Sequence, residues 1–315
     1  MKTLNELYSS LSVRRRYEVW FTRMGLADGS GAWWFRYLLL NPGRSGCPGN
    51  PRALPVQTWA TWFPKESKPQ SFIQGFPLEG LELTARDASP FRFLINSNEI
   101  GENFCRGDME VEGHRISWDL HYRSNFRCTL SSKGWIGFSR TPHSDALFSG
   151  KIVLDGRKFT GDPLGYGVQG HNCGYRYRGF WKWAHAYFVR SGRAPSTLEA
   201  LVYDMPLGLV FRKAVLRHDG ESYEFRNFKE VDAEAFHWNF RGIAKNGLCL
   251  DAMFDGTGPG MHRLPYWKTD CSGSFDVLNN SLARATSRLE WPDGRVEKLE
   301  TTDGAALELG GQRRH

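Results

Sequence analysis

Residues 165–188 read GYGVQGHNCGYRYRGFWKWAHAYF. The second half of this stretch alternates. Trp181, Trp183, His185 and Tyr187 share one side of an extended strand, and Lys182, Ala184, Ala186 and Phe188 share the other. Carried backwards, the same parity collects Cys173, Tyr175 and Tyr177, with Gly179 as a place where a bulge or turn resets the register. The result is an aromatic wall carrying one imidazole, preceded by a Gly-rich corner that holds His171 and Asn172. Such a wall suits a cavity for a flat, greasy molecule oriented by a few polar groups. It equally suits a Trp-rich β core that needs no ligand. The pattern alone fits both.

Outward from this stretch the chain reads as strands. YEVWFTRM (17–24) and GAWWFRYLLL (31–40) flank Asp28-Gly29, a hairpin cue because a tight primed turn needs positive φ at its centre. The loop 41–55 is rich in Gly and Pro and is expected to be irregular. In VQTWATWF (56–63) both sides carry bulk, so one face is expected to meet a neighbouring domain. Ile116, Trp118, Leu120 and Tyr122 alternate with Ser117, Asp119 and His121 in a half-buried pattern, and GWIGFSR (134–140) is a further candidate strand. The second half repeats the style, and Asp-Gly or Asn-Gly recurs at 155, 219, 246, 255, 293 and 303. So many turn signals, with helical spacing only at Leu4, Leu7, Tyr8 and Leu11, predict an all-β protein with a short N-terminal helix over residues 1–12. Two tandem antiparallel barrels are expected, 1–160 and 161–315, because closure removes exposed edges.

The totals fit. A length of 315 residues allows two domains, and no apolar run is long enough for a membrane-spanning helix. The start MKTLNELYSSLS has no apolar signal segment, so a cytoplasmic location is the expectation. The six cysteines lie scattered without a C-x-x-C pair and are expected to be free thiols. Net charge is +7, which admits anionic partners, but the charges are interleaved and no nucleic-acid-binding motif occurs. No nucleic-acid partner is expected; a peripheral membrane contact and the oligomeric state stay open.

Glu18-Val19-Trp20-Phe21 in the first strand, His171-Asn172-Cys173-Gly174 at the corner and GAALELGG (304–311) near the end together resemble the two-domain lipocalin-like (AttH-like) superfamily. That superfamily includes carotenoid hydratases, tocopherol cyclases and Diels–Alderases. The resemblance spans nearly the whole chain and implies paired lipocalin-like barrels and a pocket where a lipophilic substrate is protonated or folded. The chain departs from the hydratase-type corner at two points: Gly170 stands where an acid is expected and Cys173 where a Trp is expected.

Proton-initiated chemistry needs a positioned acid, a dry wall and faces that tolerate a developing cation. His171 and His185 are candidate proton donors or relays. A carboxylic acid is stronger, and Asp204, Asp251 and Glu308 are the acids inside apolar strands. The catalytic candidates are therefore His171, His185 and Asp204, and the substrate-binding candidates are Asn172, Tyr175, Tyr177, Trp181, Trp183 and Tyr187. Each histidine has a structural alternative, as a corner tie or a satisfied core residue. His171, Cys173 and His185, with His237 or Cys249, match no zinc spacing, so no metal is expected. No G-x-S-x-G elbow, P-loop or dinucleotide fingerprint occurs, so no cofactor is expected. The leading expectation is a protein that binds a lipophilic, isoprenoid-like or polyene molecule and catalyses cofactor-free hydration, cyclisation or isomerisation. The alternatives are a non-catalytic lipid or pigment carrier and a protein whose barrels are filled solid.

Overall fold

The structure, a computed structural model, describes residues 4–8, 10–85, 88–132, 137–232 and 236–311. Residues 1–3 and 9 of the expected helix and 134–136 of one expected strand lie outside the described residues. Twelve strands build a first antiparallel sheet: β1 (Tyr17–Leu26), β2 (Gly31–Leu40), β3 (Val56–Pro64), β4 (Gln70–Phe76), β5 (Leu81–Leu83), β6 (Arg92–Ile95), β7 (Asn98–Gly101), β8 (Phe104–Val111), β9 (His114–Arg123), β10 (Cys128–Ser132), β11 (Gly137–Leu154) and β12 (Arg157–Gly174). Ten more build a second: β13 (Phe180–Phe188), β14 (Ser196–Asp204), β15 (Val210–His218), β16 (Glu221–Arg226), β17 (Lys229–Asp232), β18 (His237–Ile243), β19 (Cys249–Asp255), β20 (His262–Trp267), β21 (Ser274–Glu290) and β22 (Val296–Gly311). The chain changes sheet between Gly174 and Phe180, and residue 160 lies inside β12.

The two sheets are curled half-barrels rather than the closed barrels expected. The first runs β4-β3-β2-β1-β12-β11-β9-β8-β7-β6-β5, and its end strands do not pair with each other; the second ends likewise on β16 and β17. Turn signals report hairpins, and hairpins do not dictate closure. Two Asp-Gly pairs have positive φ at both residues, Asp155-Gly156 and Asp219-Gly220, as a primed turn requires. Asp303-Gly304 makes no turn at all and lies within β22.

Strand alternation sets up three cores. On β2, Trp33, Phe35, Tyr37 and Leu39 fill the first half-barrel, while Trp34 and Leu38 point the opposite way. On β13, Phe180, Ala184, Ala186 and Phe188 fill the second half-barrel, while Trp181 and Trp183 point out of it. The outward sets meet. Val19, Phe21, Trp34, Leu38, Trp59 and Phe63 from the first sheet pack with Trp181, Trp183, Leu201, Tyr203 and Tyr266 from the second. This is why β2, β3 and β13 are buried along their whole length. The expectation that one face of 56–63 meets a neighbouring domain is met by Trp59 and Phe63.

None of the described residues of the expected N-terminal helix is helical, and among the described residues the helical elements are short 3-10 turns at Pro42–Arg44 and Pro206–Gly208. Residues 4–8 instead run into the first half-barrel, with Leu7 in its core and Asn5 fully buried. Their backbone is bonded by the barrel. Leu4 O accepts from His171 Nδ1 at 2.8 Å, Asn5 O accepts from Trp20 Nε1 at 2.9 Å, and Tyr8 N donates to Glu18 Oε1 at 2.7 Å. Leucines at helical spacing are present, but those backbone groups are engaged across the barrel rather than along the segment.

A second correction concerns the thiols. Cys47 and Cys271 are joined across a sequence separation of 224, tying the 41–55 loop to the turn after β20, while Cys105, Cys128, Cys173 and Cys249 are free. Spacing along the chain carries no information about loops brought together by the docking of two sheets.

Candidate functional site

Between the outward faces of the two sheets lies a cavity of about 110 Å³. β1 contributes Tyr17, Val19 and Phe21, β2 Trp34 and Arg36, and β12 Asn172 and Gly174. From the second sheet come Trp181 and Trp183 of β13, Leu201 and Tyr203 of β14, Tyr266 of β20 and Glu308 of β22. The rings interlock in part: Tyr177 stacks on Tyr17 at 4.0 Å between centroids, and Trp183 meets Phe21 edge-on at 5.6 Å. An engineered cavity of about 150 Å³ admits benzene, so the inner space is close to one ring in size. Arg176, Tyr177 and Arg178 also line an adjoining, more open space of about 300 Å³, together with Arg15, Lys268 and Phe275. The two spaces share Arg176, Tyr177 and Arg178, so a molecule longer than one ring would have to extend past Tyr177 toward this basic side.

Glu308 is the acid of the inner space. β22 alternates Leu307 and Leu309 into the second half-barrel, which turns Glu308 toward the first sheet. Its Oε1 accepts from Trp181 Nε1 at 2.8 Å and its Oε2 from Tyr266 O–H at 2.9 Å. Burial pushes its carboxyl above the ordinary range, opposed by the Arg36 charge and by the hydrogen bonds from Trp181 and Tyr266. Arg36 sits 4.3 Å over the Tyr266 ring, 4.6 Å over Trp59 and 5.6 Å over Trp34. Asn172 turns toward the same space, and its Oδ1 is buried without a hydrogen-bond partner.

The predicted residues divide by place. Asn172, Tyr177, Trp181 and Trp183 line the cavity. Tyr187 is buried beside Tyr166, and Tyr175 is exposed under Arg15. Asp204 accepts from the Phe180 backbone N–H at 3.1 Å and fixes the entry to β13. His185 faces the first sheet, bonded through Nε2 to Ser144 O at 2.8 Å, and burial lowers it to about 3, so at neutral pH it is an uncharged donor to that carbonyl. His171 points into the first half-barrel. It stacks on Trp20 at 4.7 Å and pairs through Nε2 with Glu18 Oε1 at 3.0 Å, both residues being buried. His171→Ala is therefore expected to cost about 3 kcal/mol in denaturant unfolding, because it leaves a buried carboxyl without its imidazole.

The metal-type combinations weighed from the sequence are not assembled: His171 and His185 are engaged in separate places. Among the described residues His218, Asp219 and Glu297 converge, but Arg190 already ion-pairs with both acids. Another buried acid, Glu199, is tied off between the sheets by Thr141 Oγ1 at 2.8 Å, Trp183 Nε1 at 2.9 Å and Cys128 Sγ at 3.3 Å.

Gly170 also has a physical account. A Cβ there would lie 2.3 Å from the Phe21 ring, which packs into the sheet interface. An acid at this position has no room while Phe21 keeps its place. Gly170→Asp is expected to lower stability by at least about 2 kcal/mol, read as a fall in melting temperature, through overpacking and burial of a charge. Arg36, Tyr17 and Tyr266 were not singled out from the sequence. The signal for Arg36 was a lone charge inside the otherwise apolar run GAWWFRYLLL.

No protein-family profile and no curated protein matches the sequence. Solved structures do. The chain superposes over its full length on a protein of Nitrosomonas europaea described as an AttH, with a TM-score of 0.56 and 11% identity, covering 97% of that chain. It superposes over 98% of its length on kievitone hydratase from Nectria haematococca, with a TM-score of 0.55 and 10% identity, covering 95% of that chain. The two-domain AttH-like β fold is therefore shared across both halves.

Proposed function

We propose that this protein binds a lipophilic, largely flat organic molecule between its two sheets and catalyses a cofactor-free hydration, cyclisation or isomerisation, with Glu308 as the general acid. The observation that carries the reading is a buried carboxyl, shifted toward its protonated form, held by Trp181 and Tyr266 at the wall of an aromatic cavity. In a hydration the carbon–carbon π pair takes the Glu308 proton, leaving a carboxylate and a carbocation. Water then adds to the cation and returns a proton to Glu308, so the acid is regenerated. The faces of Trp181, Trp183 and Tyr177 favour the cationic intermediate, at about 0.5–2 kcal/mol per well-placed ring. Asn172 orients a substrate hydroxyl or the water. A protein of the same fold, kievitone hydratase, is a hydratase, which supports this reaction class.

The test is to purify the protein, extract any bound organic molecule, and incubate that molecule and its relatives with fresh protein, following products by mass spectrometry. Product formation that depends on Glu308 supports the reading. A second reading, non-catalytic carriage, draws on Gly170 standing where the resemblance expects an acid. It requires that bound molecules shift tryptophan fluorescence and are recovered unchanged.

A further inference from the structure

Among the described residues two arginines, Arg23 and Arg36, are buried where the first sheet faces the second, and they are treated in opposite ways. Arg23 is fully buried, and its guanidinium donates to the backbone oxygens of Gly304, Ser281, Asp303 and Ala305. Arg36, only 4% exposed, receives nothing comparable. Its Nε and Nη1 are buried without a hydrogen-bond partner, and none of the ion pairs among the described residues includes it. The rings of Tyr266, Trp59 and Trp34 serve the face of the guanidinium. Faces do not satisfy N–H groups, which lie in the plane. A buried cation with idle donors is costly unless something completes it. Arg36 lines the inner cavity, and the buried, unpartnered Oδ1 of Asn172 faces the same space.

We propose that the molecule bound there is an acid: a flat aromatic or conjugated compound whose carboxylate, or ionised enol or phenol oxygen, sits on Arg36 while a hydroxyl donates to Asn172. This rests on the reading of the cavity as a ligand site and adds the charge of the ligand to it. A planar oxygen acid matches the fork of a guanidinium, whereas a hydrocarbon leaves its donors idle. Tyr266 links the two polar groups, offering its face to Arg36 and its O–H to Glu308. An anion on Arg36 cancels the charge that draws Glu308 down, so binding favours the protonated acid.

The experiment titrates the full-length protein at pH 7.5 and low salt with 2-naphthoate and with 2-naphthamide, a neutral compound of nearly the same shape, by tryptophan fluorescence and calorimetry. The naphthoate is expected to bind at least about tenfold more tightly, the Arg36→Met variant to lose that preference while keeping affinity for the amide, and Arg36→Lys to retain only part of it. Equal affinity of the wild type for the two compounds overturns the assignment without touching the cavity reading, and it needs no variant to fold. A preference that survives Arg36→Met also overturns it, and places charge recognition at the outer Arg176, Arg178 and Lys268. Absence of binding by either compound overturns both the cavity reading and the proposal built on it.

Discussion

Arg23→Met is expected to destabilise the protein by about 3–5 kcal/mol, the cost of stranding buried partners of a charged hydrogen-bonding group. Arg23 leaves β1 on the face opposite Trp20 and enters the second sheet where the β21–β22 register shifts, between Asn280 and Ala285. It donates to Gly304 O at 3.1 Å, Asp303 O at 3.2 Å, Ala305 O at 2.8 Å and also to Ser281 O. Burial pulls the guanidinium down to about 9, with the Asp303 charge opposing, while its hydrogen bonds go to backbone carbonyls. Removing it leaves carbonyls with no water to replace the lost donors. Urea unfolding should show a lower midpoint and, once docking weakens, a transition that differs between tryptophan fluorescence and circular dichroism. An unchanged midpoint would contradict the buried position of this side chain.

Glu308→Gln is expected to reduce turnover by about 10²–10⁴-fold, the usual contribution of a positioned general acid. Affinity for the bound molecule should change little, because an amide keeps the size of the carboxyl and accepts from either Trp181 or Tyr266. The pH profile follows from the direction of the shift. A raised carboxyl stays protonated above the ordinary range, so activity should persist above that range and fall as pH rises through the folded-state value. Stability has the same sign. The folded state holds this proton more tightly than the unfolded chain, so the Glu308 contribution weakens as pH climbs from the unfolded to the folded value and then levels off. The Glu308→Gln protein should therefore melt at or above the wild-type temperature at neutral pH, with the difference closing toward pH 4. A variant that loses turnover together with stability would point to a structural role for Glu308.

The candidate site was legible in part. Alternation in FWKWAHAYF placed Trp181 and Trp183 on one face, and both line the cavity. The same alternation put His185 and Tyr187 on that face, but the face is long and the cavity occupies only one end of it. Glu308 was visible as an acid between leucines, yet so were Asp204 and Asp251. Asp204 caps a backbone N–H, and Asp251 ion-pairs with Arg241 at the surface. Only the packing of β20 and β13 against β22 distinguishes the buried acid from the exposed one.

Local chemistry in the sequence determined the strands, many of their turns and the grouping of side chains by face, because extended backbone has a period of two and tight turns need positive φ. Tertiary structure decided what covers each face. It drew residues 4–8 into the first half-barrel, brought Cys47 to Cys271 and left both sheets open-ended. It also set Arg36 and Glu308, on strands of different sheets, into one cavity. The reason is that a side chain's face is fixed by its neighbours in the chain, whereas its partner across an interface depends on how two separately curled sheets dock.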